Sequence, residues 1–282
     1  PLTSLTPLTL TLLAMTVTPA TASPAATTAT TPLLVPLDMS PTSFDDQYRG
    51  CGQAMTSALP ALNRSEFHLN PLFAQAWTLA TAEFRVRPRP STPLTPAQAI
   101  ALLAYTSPLP LHRAFNAAVR AAGASGREYR DNFHFKTLHF LLTDALAALK
   151  VTQGQRCHHV FRGVRGVRFE AQRGRTVRFG HFASASLVNE SSWAFGVDSS
   201  FGVDTCQGVA VRDFSFFPRE EEVLIPPFES FQVTEVTEVT EVTGVTGVTG
   251  VSGVRIGLRS AGSWSRYNCE WLRGDSEGTA RG

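Results

Sequence analysis

The stretch EEEVLIPPFE, residues 220–229, places three adjacent glutamates directly before an apolar, strand-like segment. Carboxylates held this close repel one another, so the run costs stability unless at least one of them has a chemical role. We therefore predict that this stretch contributes to an active site. For the three glutamates taken alone, a solvated charge run in a surface loop is the alternative.

Two pieces upstream of the glutamates sharpen this prediction. The sequence FRGVRG (161–166) follows a predicted strand, and FASASL (182–187) precedes a polar stretch. An arginine, a serine pair and Glu-x-Glu in this order resemble the R-S-E signature of the ecto-mono-ADP-ribosyltransferases, which transfer ADP-ribose from NAD to arginine. The resemblance extends over residues 37–271 and includes the aromatic run NFHFKTLHF (132–140).

The N-terminal half of the chain has a mainly helical pattern. Asn70-Pro71 and Thr95-Pro96 each place a capping side chain before a proline suited to the first helical turn. Residues 129–150 carry apolar side chains mainly on one face, which predicts the longest helix of the chain. Residues 37–150 are therefore expected to form a helical lobe.

The periodicity changes after Cys157. Short Val- and Phe-rich pieces between Gly, Ser or Asp clusters predict antiparallel strands at 159–161, 176–179, 208–211 and 223–225. Helices followed by strands predict an α+β fold in which the helical lobe packs on a β lobe, residues 151–272, with a cleft between them. The resemblance implies an antiparallel or mixed sheet of the ADP-ribosyltransferase type in a single catalytic domain, residues 37–272.

A three-residue repeat occupies residues 233–253, in seven units of Val-Thr-Glu, Val-Thr-Gly and Val-Ser-Gly. A period of three fits neither a strand nor a helix, so we predict an expanded surface loop. Residues 228–232 and 254–258 alternate as strands do, and the loop is therefore expected to lengthen a hairpin connection. A binding role for the repeat is left open.

Both ends of the chain are expected to lie outside the fold. Residues 1–36 resemble a secretory signal peptide without its initiating methionine, and a disordered Thr/Pro/Ala tail is the alternative. The polar tail, residues 273–282, lacks the hydrophobic signal that many members of the family exchange for a lipid anchor. With no apolar run long enough to span a membrane, we expect a product that is secreted or held in the secretory-pathway lumen.

The charge of the chain argues against nucleic acid as a partner. The formal net charge is +2 over 282 residues, and the arginines between residues 162 and 178 are not interleaved with aromatic side chains in the way that a base-stacking platform requires. Asn63 and Asn189 each begin a glycosylation sequon, which suits a secreted protein.

The four cysteines, Cys51, Cys157, Cys206 and Cys269, favour two disulfides in a chain of secretory origin. Four cysteines allow three pairings, and their wide spacing does not match a metal motif. The resemblance implies the pairs Cys51–Cys269 and Cys157–Cys206.

The resemblance also assigns roles to the site residues that bind NAD. Arg162 suits the diphosphate because a guanidinium forks onto phosphate oxygens, and Gly163 lets the backbone approach closely. Ser184 is expected to orient the catalytic carboxylate and the nicotinamide ribose. Phe195 is favoured over Phe201 as the aromatic side chain that stacks on nicotinamide, while core packing is the alternative for either ring.

Glu222 is predicted to be the catalytic residue. Positive charge develops on the ribose as the glycosyl bond lengthens, and a fixed carboxylate holding the ribose 2'-hydroxyl stabilises that state. Glu220 lies two residues earlier, hence on the same side if the segment is extended, and the resemblance implies that it grips the incoming guanidinium. Glu221 is expected to point away.

We therefore predict a metal-independent, arginine-specific mono-ADP-ribosyltransferase that uses NAD as co-substrate. Its acceptors would be arginine-bearing proteins or small guanidino compounds. One alternative keeps the site but gives ADP-ribose to water, as an NAD glycohydrolase does. A second is a secreted, disulfide-bonded binding protein that has lost catalysis. A glycosidase is more distant, because Glu220 and Glu222 lie too close in sequence to flank a sugar from opposite faces.

Overall fold

The computed structural model describes residues 31–87, 92–190, 195–242 and 249–277. The helical lobe contains α1 (Gly52–Leu69), α2 (Pro71–Val86), α3 (Pro96–Tyr105), α4 (Leu111–Ala122), α5 (Gly126–Asn132) and α6 (Lys136–Thr152). The strands are β1 (Leu33–Pro36), β2 (His158–Val164), β3 (Val167–Glu170), β4 (Thr176–Val177), β5 (Ala183–Ser186), β6 (Ser199–Thr205), β7 (Val209–Ala210), β8 (Glu222–Ile225), β9 (Glu229–Val242) and β10 (Thr249–Ser263). Two short 3-10 turns, Arg212–Phe214 and Pro218–Glu220, precede β8, and α7 (Glu270–Glu277) follows β10.

Two helices begin where the sequence predicts. The Asn70 side chain accepts a hydrogen bond from the Phe73 backbone amide at 3.1 Å, with proline next in the chain. Thr95 and Gln98 form a reciprocal capping box at the start of α3. These local contacts satisfy amides that the first helical turn otherwise leaves without a partner.

The prediction of one long helix over residues 129–150 is wrong. The chain breaks between α5 and α6, and α1 is the longest described helix at 18 residues. Glu66, a buried side chain of α1, accepts hydrogen bonds from the amides of Lys136 and Thr137 at 2.5 and 2.9 Å. A carboxylate from a distant helix thus caps α6, while the buried Phe133 ring occupies the break.

The sheet confirms the predicted α+β fold. Eight strands lie in the order β4-β9-β10-β6-β2-β5-β8-β7, and β1 and β3 form a separate parallel pair. Neighbours in the large sheet are antiparallel except β6 and β10, which are parallel, so the sheet is mixed. The helical lobe packs on the sheet in one hydrophobic core that includes Phe182, Val209 and Leu224.

The prediction of a loop over residues 233–253 is wrong in part. Residues 233–242 belong to β9 and residues 249–253 to β10, so the repeat extends the hairpin itself. Interstrand hydrogen bonds join backbone groups, so they do not require polar and apolar side chains to alternate. Two register irregularities also fall in the repeat, between Gly250 and Ser252 and opposite the Val233–Glu235 segment. Residues 243–248 lie outside the described part of the chain.

Two disulfides are present in the pairing that the resemblance implies. Cys51–Cys269 joins the start of α1 to the start of α7 across 218 residues. Cys157–Cys206 joins the residue before β2 to the residue after β6. No helix among the described residues is both long enough and apolar enough to cross a membrane.

Candidate active site

A cleft of about 630 Å³ opens between the helical lobe and strands β2, β5 and β8. Beside it, β2 and β5 share a single backbone pair, Phe161 with Ser186. Arg162, Ser184 and Glu222 all line this cleft. The three strands that carry the R-S-E residues therefore bring them together, and the volume suits a small-molecule site.

Glu222 begins β8 and is only 6% exposed. Its carboxylate is hydrogen-bonded to the Ser184 hydroxyl, and the Ser215 hydroxyl donates to its Oε2 atom at 3.3 Å. Burial raises the pKa of Glu222, and the neighbouring charge of Glu220 adds to this, whereas the two serine hydrogen bonds oppose it.

Arg162 lies in the central strand β2, and its side chain crosses the gap toward β5. Its Nη1 atom donates to the Ser184 backbone carbonyl at 2.6 Å, and the guanidinium lies 6.0 Å from the centre of the Phe179 ring. These contacts fix the guanidinium against the strand that carries Ser184. Gly163, the next residue, also lines the cleft and is buried.

Glu220 lines the cleft with Glu222, but the extended segment expected between them is absent. Glu220 ends a 3-10 turn, and the backbone reverses at Glu221, whose φ is +45°. The Ser186 hydroxyl donates to the Glu220 carbonyl at 2.6 Å and holds this turn on β5. Glu221 instead pairs with Arg212 at 2.8 Å and is not among the cleft residues.

The two candidate aromatic residues have different environments. Phe195 is 51% exposed and lines the cleft. Phe201 is 2% exposed and packs against Phe169 and Phe179 in the core of the β lobe. Of these two residues, Phe195 is therefore the one placed to stack on a ligand in the cleft.

The wall opposite the strands comes from the helical lobe, and the R-S-E motif does not identify it. Its polar side chains are Tyr105 on α3, Thr106 and Ser107 directly after α3, and His112, Arg113, Asn116 and Arg120 on α4. Arg113, Asn116 and Arg120 are spaced by three and four residues, which places them on one helical face. That spacing is visible in the sequence, and a search for polar stripes on predicted helices would have found it.

Ser107 and Asn116 in this wall each carry a buried side-chain oxygen with unused hydrogen-bonding capacity. Asn116 is held by its amide nitrogen. Its Nδ2 atom donates to the Phe182 carbonyl at 2.9 Å and to the Tyr105 hydroxyl at 3.1 Å. Its Oδ1 atom is buried and has no hydrogen-bond partner among the described residues. A buried acceptor of this kind costs free energy unless a ligand supplies a donor.

His181 adds a neutral acceptor to a cationic cleft. Its Nδ1 atom lies 2.6 Å from the Phe179 carbonyl and must carry the proton, because a carbonyl only accepts. Burial, together with the nearby charges of Arg162 and Arg120, lowers the pKa of His181 to about 3. The ring is therefore uncharged at neutral pH, and its Nε2 atom is left as an acceptor.

The remaining predicted sites lie away from the cleft. Asn189 is exposed, whereas Asn63 lies within α1 with its Oδ1 atom buried. Across residues 31–87, 92–190, 195–242 and 249–277, no group of His, Cys, Asp and Glu side chains is arranged to hold a metal ion.

Comparison with known proteins identifies relatives over most of the chain. The family model NAD:arginine ADP-ribosyltransferase matches residues 37–246. The rabbit (Oryctolagus cuniculus) GPI-linked NAD(P)(+)--arginine ADP-ribosyltransferase 1 is 48% identical over 254 residues, covering 84% of this chain and 75% of the relative. The chicken (Gallus gallus) erythroblast NAD(P)(+)--arginine ADP-ribosyltransferase is 49% identical over 242 residues, covering 85% and 77%.

Solved structures give the same result. The eukaryotic mono-ADP-ribosyltransferase ART2.2 superposes with a TM-score of 0.69 at 34% identity, covering 84% of this chain and 99% of that one. An ART2.2 variant solved in complex with NAD has a TM-score of 0.69 at 33% identity, with the same coverage. From its cleft, its sequence and its fold, the chain belongs to the NAD:arginine ADP-ribosyltransferase family.

Proposed function

We propose that this protein transfers a single ADP-ribose from NAD to the guanidinium of an acceptor arginine and releases nicotinamide. The observation that carries the proposal is the position of Glu222. Its buried carboxylate is hydrogen-bonded by Ser184 and Ser215, and Glu220 lies beside it in the same cleft. Relatives named as arginine ADP-ribosyltransferases and an NAD complex of ART2.2 support the assignment.

The cleft has the groups that NAD requires. Arg162, Arg113 and Arg120 supply positive charge for the diphosphate. The unsatisfied Oδ1 atom of Asn116 and the Nε2 atom of His181 accept hydrogen bonds from ribose hydroxyls or amide groups. Phe195 offers an exposed ring for the nicotinamide.

Bond cleavage depends on Glu222. The bond between ribose C1' and the nicotinamide nitrogen breaks, and its electron pair leaves with nicotinamide. Positive charge then develops on the ribose, and the fixed carboxylate of Glu222, holding the 2'-hydroxyl, stabilises this state more than it stabilises bound NAD. Ser184 keeps the carboxylate in place through the hydrogen bond to it.

Transfer rather than hydrolysis depends on Glu220. Its carboxylate lies at the cleft on the turn Pro218–Glu220, where it can hold an incoming guanidinium by charge-assisted hydrogen bonds. A guanidinium nitrogen then forms the new bond to ribose C1' and loses one proton. A site that binds the acceptor in this way favours arginine over water.

The bounds 37–272 expected from the sequence are too narrow, because β1 (Leu33–Pro36) pairs with β3 and α7 extends to Glu277. We also propose that the chain from β1 to α7 acts as one catalytic domain in an extracellular or secretory compartment. The two disulfides support an oxidising environment. Of the two glycosylation sequons, the exposed Asn189 is the better acceptor for a sugar chain.

The proposal is tested by incubating the oxidised protein with NAD and a small guanidino acceptor, while free nicotinamide and acceptor mass are followed together. We expect equal amounts of nicotinamide and modified acceptor. Glu222→Gln should reduce both by roughly 10²- to 10³-fold, because it removes the charge that stabilises the ribose. Glu220→Gln should abolish acceptor modification while nicotinamide release continues.

Glu221→Gln is the matched control, because it removes the same charge from the neighbouring residue outside the cleft. Its turnover should equal that of the wild type. Nicotinamide without modified acceptor from the wild type would favour the NAD glycohydrolase. No nicotinamide from correctly folded protein would refute both activities and leave a binding role.

A further inference from the structure

Ser215 lies behind the catalytic carboxylate, on the side away from the cleft. Its hydroxyl donates to Oε2 of Glu222 at 3.3 Å, and the residue is completely buried. Ser215 is not among the residues that line the cleft. It therefore reaches the carboxylate without access to a ligand in the cleft.

The direction of this hydrogen bond is fixed by a second one. The Phe217 backbone amide donates to the Ser215 hydroxyl oxygen at 3.0 Å. An amide is only a donor, so the Ser215 oxygen accepts from it and the Ser215 proton is left for Glu222. Among the described hydrogen bonds of the Ser215 hydroxyl, no other acceptor competes with Glu222 for this proton.

The backbone of Ser215 is itself anchored to the helical lobe. Arg87, at the C-terminal end of α2, donates from Nη1 to the Ser215 carbonyl at 2.8 Å. The Arg87 side chain is also paired with Glu83 at 2.6 Å and lies over the Phe216 ring at 5.5 Å. The backbone of Ser215 is thus held by Arg87 of the helical lobe and not by a residue of the cleft.

We propose that Ser215 is a positioning residue that holds the Glu222 carboxylate and couples it to the loop bearing Glu220. The inference rests on the proposed function, since it assigns Glu222 the catalytic role. One hydroxyl connects the backbone of Phe217, three residues before Glu220, to the reacting carboxylate.

The test measures nicotinamide release by Ser215→Ala against Ser230→Ala. Ser230 is the matched control, a buried serine whose hydroxyl donates to the Gly262 carbonyl away from the cleft. We expect kcat of Ser215→Ala to fall roughly 10- to 100-fold with the KM for NAD nearly unchanged. The acid limb of the pH–rate profile should also move to higher pH, because the ionised carboxylate loses a donor. Ser215→Cys, which keeps a weak donor, should be intermediate.

Arg87→Met gives a second measurement that does not alter a buried residue, because Arg87 is partly exposed. It should lower kcat by a few-fold and move the acid limb in the same direction. The proposal is wrong if Ser215→Ala matches Ser230→Ala, or if kcat falls without movement of the acid limb. Should Ser215→Ala fail to fold, an unchanged Arg87→Met would overturn the proposal. A wild type without nicotinamide release would instead refute the proposed function.

Discussion

Glu222 needs a negative charge to stabilise the ribose, yet its burial favours the protonated form. Burial raises the pKa of Glu222, and the charge of Glu220 raises it further. Because the ionised carboxylate is the active form, activity is lost as the pH falls through this raised pKa. We predict an acid limb of kcat/KM above the ordinary glutamate pKa of about 4.3.

Glu220→Gln is expected to move this acid limb to lower pH, because it removes a like charge from beside Glu222. The movement is opposite to that expected for Ser215→Ala, which removes a hydrogen bond to the ionised form. Nicotinamide release in the absence of acceptor is the measurement, since it does not require Glu220 to hold a guanidinium. An acid limb that stays in place in Glu220→Gln would contradict the assignment of the limb to Glu222.

For the site, short motifs in the sequence predicted which residues share the cleft. They did not indicate the contributing residues that lie outside those motifs. Arg162, Ser184 and Glu222 lie on adjacent parts of one sheet, and their order in the chain already indicates a common site. Asn116 has no motif, because it contacts the Phe182 carbonyl 66 residues away. Ser215 lies only seven residues from Glu222, but a single serine before the glutamates gives no sign of that contact. The position of Glu220 depends on a backbone reversal at Glu221, whereas the sequence predicted an extended segment from Glu220 to Glu222.

Among the secondary structure elements, β9 and β10 are interior strands of the sheet near their base, but the distal end of their hairpin has no other described strand beside it. β10 pairs with β6 from Val254 onward, and β4 pairs with β9 only at Phe231 and Gln232. Within the described residues, the backbone of 240–252 therefore pairs only with itself. This part of the repeat extends beyond the sheet and does not support the cleft.

We predict that the hairpin can be shortened without loss of catalysis. Deleting residues 240–252 and joining Val239 to Gly253 through an Asn-Gly turn keeps the register of the paired residues below the cut. The free energy of unfolding should change by no more than about 1 kcal/mol, because only a peripheral segment is removed. Denaturant titration and turnover with a small guanidino acceptor are the measurements. A clear fall in turnover would show that the repeat supports the site.

The elements that sequence predicted correctly are those specified by neighbouring residues. The caps of α2 and α3 are formed by Asn70 and Thr95, each within three residues of its partner. The break before α6 is capped by Glu66 from 70 residues away, and no local pattern encodes it. The loop prediction for the repeat failed because its three-residue period does not match a strand. The repeat forms strands because the backbone of each arm of the hairpin hydrogen-bonds to the other arm.

At the scale of the whole molecule, a buried ion pair joins the N-terminal segment to the β lobe. Arg178 lies just after β4, and its Nη1 atom is 2.5 Å from Oδ2 of Asp45, with both side chains inaccessible to solvent. Asp45 also accepts hydrogen bonds from the amides of Arg266 and Tyr267 at 2.9 and 3.1 Å. The guanidinium of Arg178 lies 4.4 Å from the Trp264 ring centre.

We predict that Asp45→Asn destabilises the protein by about 3 to 5 kcal/mol, because it leaves the Arg178 cation buried without a counterion. Chemical denaturation of the oxidised protein measures the change, with both disulfides kept intact in every variant. Arg212→Met is the control, since it breaks an ion pair that is largely exposed and should cost no more than about 1 kcal/mol.

The double variant Asp45→Asn/Arg178→Met distinguishes a buried charge from a loss of packing. If the lone cation causes the instability, removing it as well should restore part of the stability. The sum of the stability losses in the two single variants will then exceed the stability loss in the double variant. If packing around Trp264 and the C-terminal segment dominates, the two losses will add. Equal stability of Asp45→Asn and the wild type would mean that the Cys51–Cys269 disulfide and the hydrogen bonds around it hold the chain ends without the ion pair.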